Sequence, residues 1–243
     1  MNRKGQVTIF IILAIIIVIG VASFFIFKDS IGIGGSNSGV NDVQIFVQDC
    51  IEKVSEEVVW EVGQGGGYYL PPEISNNVGI TYYVYNSENY APSLKNVEEE
   101  ISYFVSKKLF ECTSNFTNFT NYEKIIQEKI NVETEIQEEK IYIFVEYPLQ
   151  IIKGENNVLL EEFETEIFVE LGILYDFSQK IVNSSFENIC LSCLWEISSQ
   201  VHLSVDFFDY DENSTIFILE DEGFKFEEKI FEFIFANNYE NEI

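Results

Sequence analysis

The stretch INVETEIQEEKIYIFVEY, Ile130 to Tyr147, decides the class of fold. Its apolar residues fall on alternate positions, Ile130, Val132 and Ile136 before the polar break Glu138-Glu139-Lys140, and Ile141, Ile143, Val145 and Tyr147 after it. Period two on both sides of a short polar break reads as a β-hairpin. Upstream the period is helical. Val43, Val47, Cys50, Ile51, Val54, Val58 and Val62 share one face of a helix starting at Asn41 or Asp42, both good capping residues. Val97, Ile101, Phe104, Val105, Lys108, Leu109 and Cys112 mark a second helix, with a strand expected at Ile80 to Tyr85 between the two. Downstream, Phe163, Thr165, Ile167, Val169 and Leu171 resume the alternation and a helix follows near Ile173 to Val182. Val201 to Phe207, Thr215 to Leu219 and Phe231 to Phe235 add three strands. Helices early and antiparallel strands late predict an α+β domain with two early amphipathic helices and a mainly antiparallel β-sheet, not a doubly wound one.

The chain opens differently. VTIFIILAIIIVIGVASFFIF, Val7 to Phe27, carries no charged side chain, and as a helix it would reach about 30 Å, the thickness of a hydrocarbon core. Only Thr8 and Ser23 interrupt it, so it has no polar face to turn away from a protein core. It is too long for the apolar centre of a cleaved secretory signal, and Val21-Ala22-Ser23, the best cleavage candidate, sits inside the run. Arg3 and Lys4 precede it, which places the amino end in the cytoplasm and the remainder outside. The expected organisation is a basic end and transmembrane anchor over residues 1–28, a flexible Gly/Ser-rich linker over 29–41, an extracytoplasmic α+β domain over 42–236 and a polar tail over 237–243. The protein is thus read as a single-pass integral membrane protein of the cell membrane with an extracellular domain.

A formal net charge of -27 in 243 residues excludes a nucleic-acid partner, because no basic patch exists to displace counterions from phosphates. It also disfavours close contact with an anionic lipid surface. Self-association and other surface proteins remain as partners.

Candidate sites are few. Gly63-Gln64-Gly65-Gly66-Gly67 follows a helix and leads into Tyr68-Tyr69-Leu70-Pro71-Pro72, whereas a phosphate loop precedes a helix and carries Lys-Ser or Lys-Thr; helix termination is the better reading. Cys50 and Cys112 sit on the two early helices, where an extracytoplasmic location permits a disulfide and two buried thiols are the alternative. Cys190-Leu191-Ser192-Cys193 has redox spacing without a thioredoxin-like setting, which favours a local disulfide or a structural pair. Asn115, Asn118, Asn183 and Asn213 head Asn-x-Ser/Thr acceptors in expected turns.

Asp209, Asp211, Asn213 and Glu220 have the spacing of calcium-loop ligands, which makes calcium the one cofactor to weigh. Ser214 stands where such a loop needs glycine and the flanks alternate as strands, so a plain acidic hairpin turn fits better. His202, the only histidine, lies in a strand pattern with no nucleophile motif around it. No catalytic constellation is readable, and a non-enzymatic role is expected.

Arg3-Lys4-Gly5-Gln6-Val7-Thr8 resembles the start of archaeal type IV pilin-like proteins, a likeness confined to about the first twenty residues. It implies cleavage between Gly5 and Gln6 with the apolar helix retained. The family pattern places a Glu where this chain has Phe10, and that Glu pairs with a neighbouring subunit's amine during assembly, so filament formation is put in doubt. More loosely, this start together with Cys50, the glycines before Tyr68, Cys112 and the Phe-rich end is similar to membrane-anchored proteins of small-genome archaea, which implies no activity. The expectation is a surface-displayed structural, adhesion or assembly protein; the alternative is a cation-dependent ligand-binding or enzymatic ectodomain built on the turn near Asp209.

Overall fold

A computed structural model describes residues 40–184, 191–199 and 202–239. The anchor expected at residues 7–27, the Gly5-Gln6 cleavage site, most of the linker and Cys190 lie outside the described residues. Among the described residues no helix is long and apolar enough to cross a membrane.

Among the described residues the α+β class holds, with four α-helices and mainly antiparallel pairing. The compact unit that begins at Val43 is entered through helix α1, Asn41–Gln64. Its buried stripe of Val43, Val47, Cys50, Ile51, Val54, Val58 and Val62 is the one expected from spacing, and Asp42 in the first turn complements the helix dipole. The glycines after it end the helix: the Gly67 N–H donates to the Val62 carbonyl at 2.8 Å, and Gly66 and Gly67 take φ of 60° and 89°. Gly66 has a second reason to be glycine, since a Cβ there would lie 2.5 Å from the Ile234 carbonyl oxygen.

Helix α2, Leu94–Thr113, starts at a capping box in which Ser93 and Asn96 satisfy each other's backbone N–H groups. Cys50 and Cys112 are joined by a disulfide with Cα atoms 5.9 Å apart, and Lys108 Nζ meets Glu57 at 2.7 Å further along. Going forward from Cys50 to Glu57 along α1 goes backward from Cys112 to Lys108 along α2, so the helices run antiparallel.

The strands form two sheets rather than one. The larger has β1 (Tyr82–Tyr85), β2 (Glu88–Asn89), β7 (Leu203–Asp209), β8 (Ser214–Phe226) and β9 (Lys229–Asn238) in the order β2-β1-β9-β8-β7. Its one parallel pairing, β1 with β9, uses the strand lying between the two early helices. The smaller sheet centres on β5, Ile141–Lys153, flanked on one side by β6, Asn156–Ile167. On the other side β3 (Lys124–Gln127) and β4 (Asn131–Ile136) pair with its two halves in turn.

Pro148 marks the division: it has no N–H to give a ladder, and the β5–β6 register shifts between Glu146 and Leu149. Its carbonyl accepts from the Glu128 N–H at 3.0 Å. The expected Glu138-Glu139-Lys140 hairpin is present, closed by the Gln137 N–H donating to the Lys140 carbonyl.

Some boundaries move. The helix expected near Ile173 is α3, Leu171–Ser184, and Leu191–Ser198 forms the short α4. Asn237 and Asn238, assigned above to a polar tail, are strand, because β9 stays paired with Thr215 and Ser214 to its end and buries Asn237 completely.

The core is aromatic as well as aliphatic: Tyr83, Phe217, Phe233 and Phe235 are fully buried, and Phe235 stacks on both Tyr83 and Phe217 at 4.5 and 5.3 Å between ring centroids.

Candidate functional site

Alternation in β4, β5 and β6 sends Val132, Ile143, Val145 and Ile167 inward and leaves a second face to solvent. Pairing arranges that outer face in three rows: Asn131, Glu146 and Glu162; Glu133, Phe144 and Glu164; Glu135, Tyr142 and Glu166. Six of those nine positions are glutamates. Tyr142 and Phe144 stack down the middle, 6.2 Å apart and 7° from parallel.

The face holds one described ion pair, Lys140 with Glu166 at 3.1 Å, and that lysine also lies 4.3 Å over the Tyr142 ring. Hydrogen bonds to Tyr142 and then to Glu166 raise the Lys140 pKa. Glu146 and Glu162 stand directly opposite each other, an arrangement that repels. A groove of about 840 Å3 runs along the face beside the start of α1, lined by Gln44, Gln48, Glu133, Phe144, Glu146 and Glu164 among others. Carboxylates around an exposed ring pair can attract a basic surface and offer it cation–π contacts.

The calcium-ligand set does not converge. Asp209 pairs with Thr215 and receives its hydroxyl at 3.1 Å, Asp211 accepts the Asn213 N–H at 2.9 Å, and Glu220 pairs with Ser204, whose hydroxyl it accepts at 2.6 Å. Five residue steps along β8 separate Thr215 from Glu220, about 17 Å, so the spacing belongs to the β7–β8 hairpin. Among the described residues no group of three or more His, Cys, Asp or Glu side chains is placed to hold a metal.

Of the glycosylation acceptors, Asn118 lies in an exposed turn, Asn213 at the exposed tip of the β7–β8 hairpin and Asn115 in the 3-10 turn Ser114–Phe116. Asn183 is corrected: it is exposed in the last turn of α3, which runs on past its last apolar residue, Val182, to Ser184. Cys193 falls in α4. His202 is exposed, with φ of 72°, and its carbonyl accepts the Glu222 N–H at 2.8 Å; that is a turn's role, ahead of the strand pattern in which it was read.

Sequence reading missed a smaller pocket of about 360 Å3 beside β1 and the end of β9, lined by Tyr82, Tyr85, Tyr210, Asn76, Asp211 and Asn238 among others. Its parts come from three distant segments, and no local spacing links them. Compared with family models, curated proteins and solved structures, the chain matches none.

Proposed function

We propose that this is a membrane-held, surface-displayed protein whose domain binds other molecules in adhesion or assembly and performs no catalysis. The observation that carries the reading is the Cys50–Cys112 disulfide, since such bonds persist mainly outside the cytoplasm and the uncharged run Val7 to Phe27 supplies a means of holding a domain there. The pilin-like start adds a route by which the chain could be trimmed at Gly5-Gln6 and keep its anchor.

The acidic aromatic face supports the same reading. It is broad and open, suited to contact with a surface, and its charge favours a basic neighbour over a second copy of the chain. Protease added to intact cells tests the topology: the domain should be digested without lysis. Protection in intact cells, with digestion only after lysis, would reverse it.

A further inference from the structure

We infer that the outer face of β4, β5 and β6 receives an extended basic segment of a partner protein, with arginine or lysine on alternate positions. This rests on the adhesion reading and names the partner's chemistry. One cation sits on the Phe144 ring between Glu133 and Glu164, and the next lies between Glu146 and Glu162, one row along the strands.

The chain itself supplies the pattern for such a contact. Lys140 lies 4.3 Å over the centre of the Tyr142 ring and meets Glu166, the ring's cross-strand neighbour, at 3.1 Å. Phe144 repeats that setting one row further, its ring 7° from parallel to that of Tyr142 and 42% exposed, with Glu133 and Glu164 as its cross-strand neighbours. Among the described residues no lysine lies over Phe144. Nor does any ion pair among them engage Glu133, Glu146, Glu162 or Glu164, all exposed. Glu146 and Glu162 repel each other across the strands, and a cation between them would relieve that repulsion.

Spacing selects the shape of the occupant. Rows on one face of a sheet recur every second residue, about 7 Å, and so do side chains on one face of an extended peptide. A planar guanidinium can stack on the ring while its N–H groups reach the carboxylates on either side, so arginine fits better than lysine. The groove beside α1, about 840 Å3, has room for a backbone, and Gln44 on its wall offers an amide to it. A second copy of the chain does not supply such a segment, since no two Lys or Arg residues of this sequence stand two positions apart. A metal ion fits less well, because among the described residues no group of three or more acidic side chains is placed to hold one.

The test uses the full chain, purified in a non-ionic detergent, and a fluorescein-labelled peptide, Ser-Arg-Ser-Arg-Ser-Arg-Ser, read by fluorescence anisotropy at low salt. Saturable binding is expected, tighter than to a peptide of the same composition with its arginines adjacent. Phe144→Leu, at an exposed ring, should weaken binding about threefold at an unchanged melting temperature. Glu133→Gln, Glu146→Gln, Glu162→Gln and Glu164→Gln together should weaken it about tenfold or more. The same loss of charge at exposed glutamates off this face, Glu111→Gln, Glu123→Gln, Glu212→Gln and Glu227→Gln, should leave it within about twofold. Absence of saturable binding overturns the inference. So does equal weakening by the two sets of four, equal affinity for the two peptides, or binding of free spermidine as tightly as the alternating peptide. Because binding is read on purified chain, failure here is distinguishable from failure of the membrane topology.

Discussion

Asp221 is almost completely buried, and among the described residues it is the only charged side chain to be so. Its two oxygens accept the Glu170 N–H at 2.9 Å and the Gly223 N–H at 2.8 Å, which ties the bulged part of β8 to the start of α3. Asp221→Ala would strand both donors and should cost about 2 to 3 kcal/mol in urea unfolding. An unchanged midpoint would show that water replaces the carboxylate. Glu170 next to it has the opposite effect on stability at neutral pH. Burial, then the carboxylates of Asp221 and Glu139, raise its pKa above 4.5, while His202 pulls it down. A carboxyl that holds its proton more tightly in the folded state favours folding at low pH, and that contribution is lost as pH rises through the raised value. Glu170→Gln should therefore raise the melting temperature at neutral pH and leave it nearly unchanged below pH 4.5; equal shifts at both would refute the assignment.

At the scale of elements, the disulfide closes a sequence separation of 62 residues between α1 and α2, and the chain-entropy model gives such a crosslink about 4 kcal/mol. Reduction, or the Cys50→Ala and Cys112→Ala pair, should lower stability on that scale, and alkylation of both cysteines as free thiols in non-reduced protein would remove the bond altogether. The β8–β9 hairpin holds a different weakness. Glu227 and Glu228 both adopt positive φ, 48° and 68°, in a two-residue turn that prefers Asn-Gly. Replacing the pair by Asn-Gly should stabilise the domain by about 1 kcal/mol.

These elements also show what was legible in advance. The stripes of α1 and α2 and the alternation on either side of Lys140 could be read because each is periodic within one segment. The continuation of β5 past Pro148 and the first half of β6 were not read, since a proline inside a strand argues against it and Asn156-Asn157 looks like a turn. The parallel β1–β9 pairing joins residues about 150 positions apart, and nothing in either segment announces its partner. The same distance hid the pocket of Tyr82, Tyr85 and Tyr210. The acidic outer face was partly visible, because Glu133, Glu135, Glu164 and Glu166 occupy the polar phase of two alternating strands. Their convergence on Tyr142 and Phe144 needed the register.

For the whole molecule, charge and the proposed anchor together bear on whether copies assemble. Each copy carries a formal charge of -27, so approach of two domains is opposed beyond contact distance and eased only as salt shortens the screening length, about 10 Å at 0.1 M. A filament has to overcome that repulsion through packing of the apolar segments. In the pilin-like pattern a buried Glu and a neighbour's amine set the register, and here the position is Phe10, which offers no charge to pair. Apolar helices can still bundle by close packing, yet without a polar group to fix stagger they gain little specificity in lipid. The proposed surface protein should therefore stay with the membrane when cells are sheared, and crosslinking should recover it with a basic neighbour more often than with itself. Neutralising the outer face by Glu133→Gln, Glu146→Gln, Glu162→Gln and Glu164→Gln should weaken the crosslink to that neighbour, whereas neutralising four glutamates elsewhere on the domain should not. Recovery of most of the protein in long sheared filaments would show that Phe10 is compatible with polymerisation, and the proposal of a surface protein that stays in the membrane without polymerising would have to be abandoned.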